Sequence, residues 1–217
     1  MVQIGAPSAV RRRQEILKAA SAVFRRKGFH GAGMREIAAS LGIAVGKLYY
    51  YFESKQDLLA FCQRDTLRRL LDLAGKVRGH GLPADQALYL LVRGHVRCLN
   101  SGVGGSLAHL EVESLDDARR RDVVRLRQKY EKAVRDLIAE GVRNRCFHPV
   151  DPRLASLALL GALNWTVKWY RPEGRLSLAG IERTFAALQV RALLAEGRSF
   201  EEPDEALVPD VEAMEES

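Results

Sequence analysis

Apolar residues recur at helical spacing from one end of this chain to the other, and no stretch alternates as a half-buried strand does. A chain patterned this way folds as an all-α protein. Glycines and prolines divide the pattern into about nine helices. The first is expected over residues 8–27, with Ile16, Ala20, Val23 and Phe24 as its buried stripe and Gly28 as its stop. A short second helix carries Met34, Ile37, Ala38 and Leu41 and stops at Gly42; a third runs over about 44–52. A longer helix follows Lys55 to about residue 77, and Pro83 opens another that ends near 99. After the glycines at 102, 104 and 105, helices are expected over 106–114, 116–141, 152–170 and 178–196.

The charge is unevenly placed along this framework. Residues 1–55 hold ten lysines and arginines against three acids, and the remaining residues hold twenty-four of each. All of the net +7 therefore belongs to the first quarter of the chain, which reads either as a head that meets a polyanion or as a solvated basic surface. Residues 201–217 carry eight acids and no base, a composition expected to stay out of the fold. This divides the chain into a basic head (1–55), a helical body (56–198) and an acidic, disordered tail (199–217).

Two short helices separated by Gly42 and Ile43 fit a helix-turn-helix, whose second helix enters the major groove. Stepping about 100° per residue from Val45, Leu48 and Phe52 turn inward, whereas Gly46, Lys47, Tyr50 and Tyr51 turn outward. Such an outward face suits a groove, although the tyrosines alone also read as a packed aromatic cluster. Lys47 can donate to guanine O6 and N7, tyrosine hydroxyls can donate to phosphates, and Gly46 lets the backbone approach.

The run Gly31-Ala32-Gly33-Met34-Arg35-Glu36-Ile37-Ala38, then Leu41-Gly42-Ile43, then Gly46-Lys47-Leu48-Tyr49-Tyr50-Tyr51-Phe52-Glu53-Ser54-Lys55 to Leu59 resembles the DNA-binding segment of the TetR family. The resemblance covers roughly residues 11–60. It implies a three-helix DNA-binding head joined to a helical ligand-binding and dimerisation body. It also implies that Arg35, Val45, Gly46 and Lys47 face bases, and that Tyr49, Tyr50, Tyr51 and Lys55 anchor phosphates or sugars. Four positions depart from the family pattern. Ala44 stands where a capping serine is usual, removing ~1 kcal/mol of helix capping. Gly33 replaces a Thr or Ser, Lys47 a Thr, and Tyr51 a His, so the operator is less predictable from the family and a guanine contact by Lys47 is the specific expectation.

In the body, Leu154, Leu157, Ala158 and Gly161 form one stripe and Phe185, Leu188, Ala192 and Ala195 another. Both are candidates for the interface of a two-fold dimer, and the family resemblance implies the same pair of helices. Trp165 and Trp169 stand one turn apart, as do Asn164 and Lys168. These four residues read either as pocket lining for a ligand with apolar and anionic parts or as an aromatic plug ending the helix before Pro172. The segment from Asn164 to Gly174 resembles regulators of fatty-acid, sterol or aromatic-acid catabolism, which implies an acyl-CoA effector. Arg97, Arg143, Arg145 or Lys168 would then meet its pantetheine amides or phosphates. A multidrug-type pocket responding to cations, and a DNA binder without ligand, are the alternative readings.

No Gly-x-Ser-x-Gly elbow, glycine-rich phosphate loop or His-x-x-x-His pair is present, so an enzyme and a bound cofactor are not expected. His109, Glu111 and Glu113 are spaced by twos and point apart on a helix, so no metal site is expected there. Cys62, Cys98 and Cys146 lack zinc or disulfide spacing and read as packed thiols. The apolar stretch over 154–167 is too short to span a bilayer, and no signal peptide pattern opens the chain. A cytoplasmic protein bound to double-stranded DNA, with no membrane contact, is the expectation.

Overall fold

A computed structural model describes residues 9–101 and 111–209. Among these residues the protein is all-helical, with eight α-helices and two single 3-10 turns. The helices are α1 (Ala9–Gly31), α2 (Met34–Ser40), α3 (Val45–Tyr51), α4 (Lys55–Gly79), α5 (Ala84–Asn100), α6 (Asp117–Arg143), α7 (Pro152–Trp169) and α8 (Leu178–Leu193). The helix expected over 106–114 falls mostly outside the described residues. Its last residues, Val112–Ser114, form a 3-10 turn instead.

The stops act where glycine is required. Gly28 has φ +72° and kinks α1 at the expected end of the first helix, although one more helical turn follows. Gly42 has φ +63°, and the amide of Ile43 donates back to the carbonyl of Ala38, closing α2. Starts are capped by side chains at α4, α6, α7 and α8, where Ser54, Asp116, Asp151 and Ser177 accept amides of the first turn. No side chain caps α2 or α3, whose N-caps are Gly33 and Ala44.

Two apolar clusters hold these helices. The head cluster joins Ile16, Ala20, Val23, Phe24, Ile37, Leu48 and Phe52 to Leu58, Leu59 and Leu67 of α4. It does not end at residue 55. Val112, Leu115 and Val123, from the start of α6 and the turn before it, complete it. The body cluster packs α5, buried on nearly every face, against the far half of α4 and against α6, α7 and α8. α4 thus belongs to both cores.

The acidic tail departs from expectation. Residues 198–209 return along the body and include a 3-10 turn, Glu205–Leu207. Phe200, Leu207 and Val208 pack on the body cluster, and Phe200 sits 5.3 Å from the Tyr89 ring. Two acids find buried partners there: Glu205 takes Arg93, and Glu202 takes the Tyr89 hydroxyl. Composition alone could not place those partners. Residues 210–217 lie outside the described residues.

Candidate DNA-binding head and effector cavity

α3 places its side chains much as its spacing requires. Leu48 is fully buried and Phe52 nearly so, while Gly46, Lys47, Tyr49 and Tyr50 are exposed. Tyr50 is 83% exposed, far more than a packed aromatic would be. Tyr51 is half-buried and meets Tyr50 edge-on at 5.2 Å. Arg35, in the first turn of α2, is exposed beside this face. Val45 is half-buried against the head core, at the edge of the face rather than on it. Two head cations are partly neutralised: Glu36 reaches Lys27 at 3.0 Å and Arg26 at 2.5 Å, and these hold its carboxyl below the usual range.

Lys55 does not join the exposed face. Its ammonium donates to the carbonyls of Phe29 (2.9 Å) and Ala32 (3.0 Å) and lies 4.4 Å from the centre of the Phe29 ring. The expected phosphate contact is replaced by a structural one: the lysine closes the C-terminal end of α1 against the start of α4.

The head is tied to the body at two further points. Arg119, in the first turn of α6, lies 3.7 Å from Asp57 and 3.9 Å from Glu53. The Ser114 hydroxyl lies 3.4 Å from the His30 ring. These contacts join the start of α6 to the head.

Between α4, α5 and α6 lies a cavity of about 640 Å³, within the range of small-molecule sites. Leu71, Ala74, Val77, Leu91 and Leu137 give it apolar walls, and Arg78, Arg143, Asp136 and Glu140 give it a charged rim. None of Arg97, Asn164, Trp165, Lys168 and Trp169 lines it. Arg97 is held by both oxygens of Glu182 on α8 (3.0 and 2.6 Å). Asn164 lies 3.2 Å from Nε2 of His95, whose Nδ1 meets the Tyr130 hydroxyl at 2.9 Å. Burial pushes that histidine down to about 4, so it is neutral in this network.

Trp165, Lys168 and Trp169 are exposed on the outer side of α7. Leu154, Leu157, Gly161, Trp165 and Trp169 follow one another by three or four residues and form one exposed stripe. Leu188 of α8 is also exposed, and Phe185 packs 6.0 Å from Trp169. The tryptophans therefore extend the expected interface stripe instead of lining the cavity. Sequence reasoning misses the cavity because many of its residues are small (Ala74, Gly75, Gly81, Ala87, Ala133) and carry no periodic signal of their own.

All three thiols are buried, and desolvation raises their pKa, Cys98 to about 12. They are packed, and burial disfavours their thiolate forms. Among the described residues no three histidines, cysteines or acids gather as metal ligands. His109 lies outside the described residues. No described helix is long and apolar enough to cross a membrane.

Two family models match the chain. Residues 16–61 match the bacterial regulatory proteins of the tetR family, and residues 81–193 match the tetracyclin repressor-like C-terminal domain. The chain belongs to the TetR family. As a TetR-family protein it is a DNA-binding transcriptional regulator of the repressor type and not an enzyme. The HTH-type transcriptional repressor KstR2 of Mycolicibacterium smegmatis is 27% identical over 186 residues, covering 82% of this chain and 88% of that one. The TetR-family regulator PfmR from Thermus thermophilus superposes with a TM-score of 0.73 at 27% identity, over 84% of this chain and 99% of that one. AibR, solved in complex with isovaleryl coenzyme A and operator DNA, shares the fold with a TM-score of 0.71. It is 22% identical, over 84% of this chain and 98% of that one.

Proposed function

We propose that this TetR-family repressor acts in the cytoplasm as a homodimer on a two-fold operator and is released from it by an acyl-CoA thioester. The observation that carries the proposal is α4. Its first turns belong to the head core and its last turns line the cavity. At ~1.5 Å rise per residue, these twenty-five residues form a rod of about 37 Å that a bound ligand can tilt. Ligand that prefers the tilted state moves the two heads away from successive major grooves about 34 Å apart. A coupling of about 1–3 kcal/mol changes operator affinity ~5–150-fold.

On the operator, Lys47, Gly46 and Arg35 meet bases, with Val45 at the edge of the contact. Tyr49, Tyr50 and Tyr51 meet phosphates and sugars. The exposed stripe of α7 and α8 forms the dimer interface, because large apolar side chains in one row rarely face water unaccompanied. The acyl chain lies among Leu71, Val77, Leu91 and Leu137, and Arg78 and Arg143 face the phosphates of coenzyme A. AibR with its isovaleryl coenzyme A, and the Bacillus subtilis relative described as a fatty acid metabolism regulator protein, support this effector class.

A second reading is favoured by Asp136 and Glu140, which also line the cavity and suit a cation. Calorimetric titration with a series of acyl-CoA esters, their free acids, coenzyme A and a cationic dye separates the two. Saturable binding of one thioester and not of its acid is expected. Binding of the dye alone contradicts the thioester and leaves a multidrug-type regulator, and silence toward all of them leaves a DNA binder without these ligands.

A further inference from the structure

Arg93 and Arg97 stand one turn apart on α5 and share a single buried acid, Glu182 of α8. Arg97 takes both oxygens of that carboxylate, at 3.0 and 2.6 Å, and Arg93 reaches it only at 3.8 Å. Arg93 is 1% exposed, so without a further anion it would be a buried guanidinium with little compensation. Glu205 supplies the anion. Its two oxygens accept from Nη1 and Nη2 of Arg93 at 2.5 and 2.6 Å, the paired geometry that suits a planar carboxylate.

The anion comes from the returning segment, which packs on the body through the half-buried Phe200, Leu207 and Val208. The Glu205 side chain is 65% exposed, and the short turn that carries it contains no buried residue. One turn earlier on α5, the Tyr89 hydroxyl donates to Glu202 at 2.6 Å. Two tail carboxylates, both on exposed residues, thus lie over two donors of one helix face. Among the described residues the buried Arg93 Nε has no hydrogen-bond partner, so the site holds a donor that Glu205 leaves unused. Ala87 and Leu91 face the effector cavity; Tyr89 and Arg93, two residues on, lie about 200° round the helix on the opposite side of α5.

We propose that this seam between α5 and α8 is a second small-molecule site, specific for a carboxylate, in which Glu205 is a tethered resident that a free carboxylate replaces. Occupation lifts the segment 198–209 from the body. Propionate, which matches the end of a glutamate side chain, is the probe.

Hydrogen exchange followed by mass spectrometry on the full chain reads the segment directly, in sodium propionate against sodium chloride at equal ionic strength. Propionate is expected to raise exchange in 198–209 several-fold and to leave α2 and α3 unchanged. In Glu205→Ala, which vacates the site, propionate is expected to raise the thermal midpoint saturably, and chloride is not. Equal exchange in the two salts overturns the proposal and needs no variant to fold. So does a midpoint that rises as much in the Arg93→Met, Glu205→Ala double variant, because the carboxylate then binds elsewhere. A rise in phosphate but not in propionate overturns the carboxylate class.

Discussion

At the scale of single residues, the start of α3 is the clearest weakness. Ala44 is exposed, has extended backbone angles (φ −64°, ψ 141°) and offers no acceptor to the first turn. A serine there can accept the amide of Lys47, so Ala44→Ser is expected to stabilise the protein by about 1 kcal/mol in urea denaturation. His95 makes the opposite kind of contribution. Its folded value near 4 lies below its ordinary 6.5, so between these pH values the unfolded chain takes up a proton that the folded chain refuses. Stability contributed by the neutral ring is therefore complete above pH 6.5 and lost as pH falls toward 4, by about 3 kcal/mol. Denaturation curves of His95→Gln, compared with those of the unchanged protein, are expected to lack this slope.

At the scale of elements, legibility depends on how local the deciding physics is. α2, its turn and α3 can be read because one helix stripe and one glycine in the left-handed region define them within twenty residues. The inward Leu48 and outward Lys47 and Tyr50 follow from the angle between neighbours on one helix. Lys55 cannot be read, because its ammonium is committed to carbonyls of residues 29 and 32, brought near only by packing. The tail is illegible for the same reason: Glu205 and Arg93 are 112 positions apart in sequence. Spacing puts Trp165 and Trp169 on one face, but which way that face points depends on the whole body. The end of α6 shows how tightly such long-range packing is fitted. A Cβ on Gly141 would lie 2.2 Å from the buried Phe147 ring, and the Gly141 carbonyl accepts the amides of both Cys146 and Phe147. Gly141→Ala is expected to destabilise by about 1–3 kcal/mol, seen as a lower midpoint in thermal unfolding.

At the scale of the whole molecule, one helix shared by two cores joins a basic head to a body with a cavity beside α4, α5 and α6. In the proposed dimer two such molecules pair through α7 and α8. Trp165 is 59% exposed and lies in the apolar stripe, so Trp165→Glu would bury a charge in that interface. It is expected to yield folded monomers by analytical ultracentrifugation, with operator binding weakened accordingly. Persistence of a dimer would move the interface elsewhere. Sequence-specific release is the claim on which the rest depends. Fluorescence anisotropy at fixed salt, on the DNA upstream of its own gene and on a shuffled duplex, tests it directly. Tight binding to the upstream DNA alone, discrimination at one symmetric base pair lost by ~1–3 kcal/mol in Lys47→Ala, and displacement by one thioester but not its free acid are predicted. Equal, salt-sensitive binding to both duplexes that no thioester alters would contradict the account.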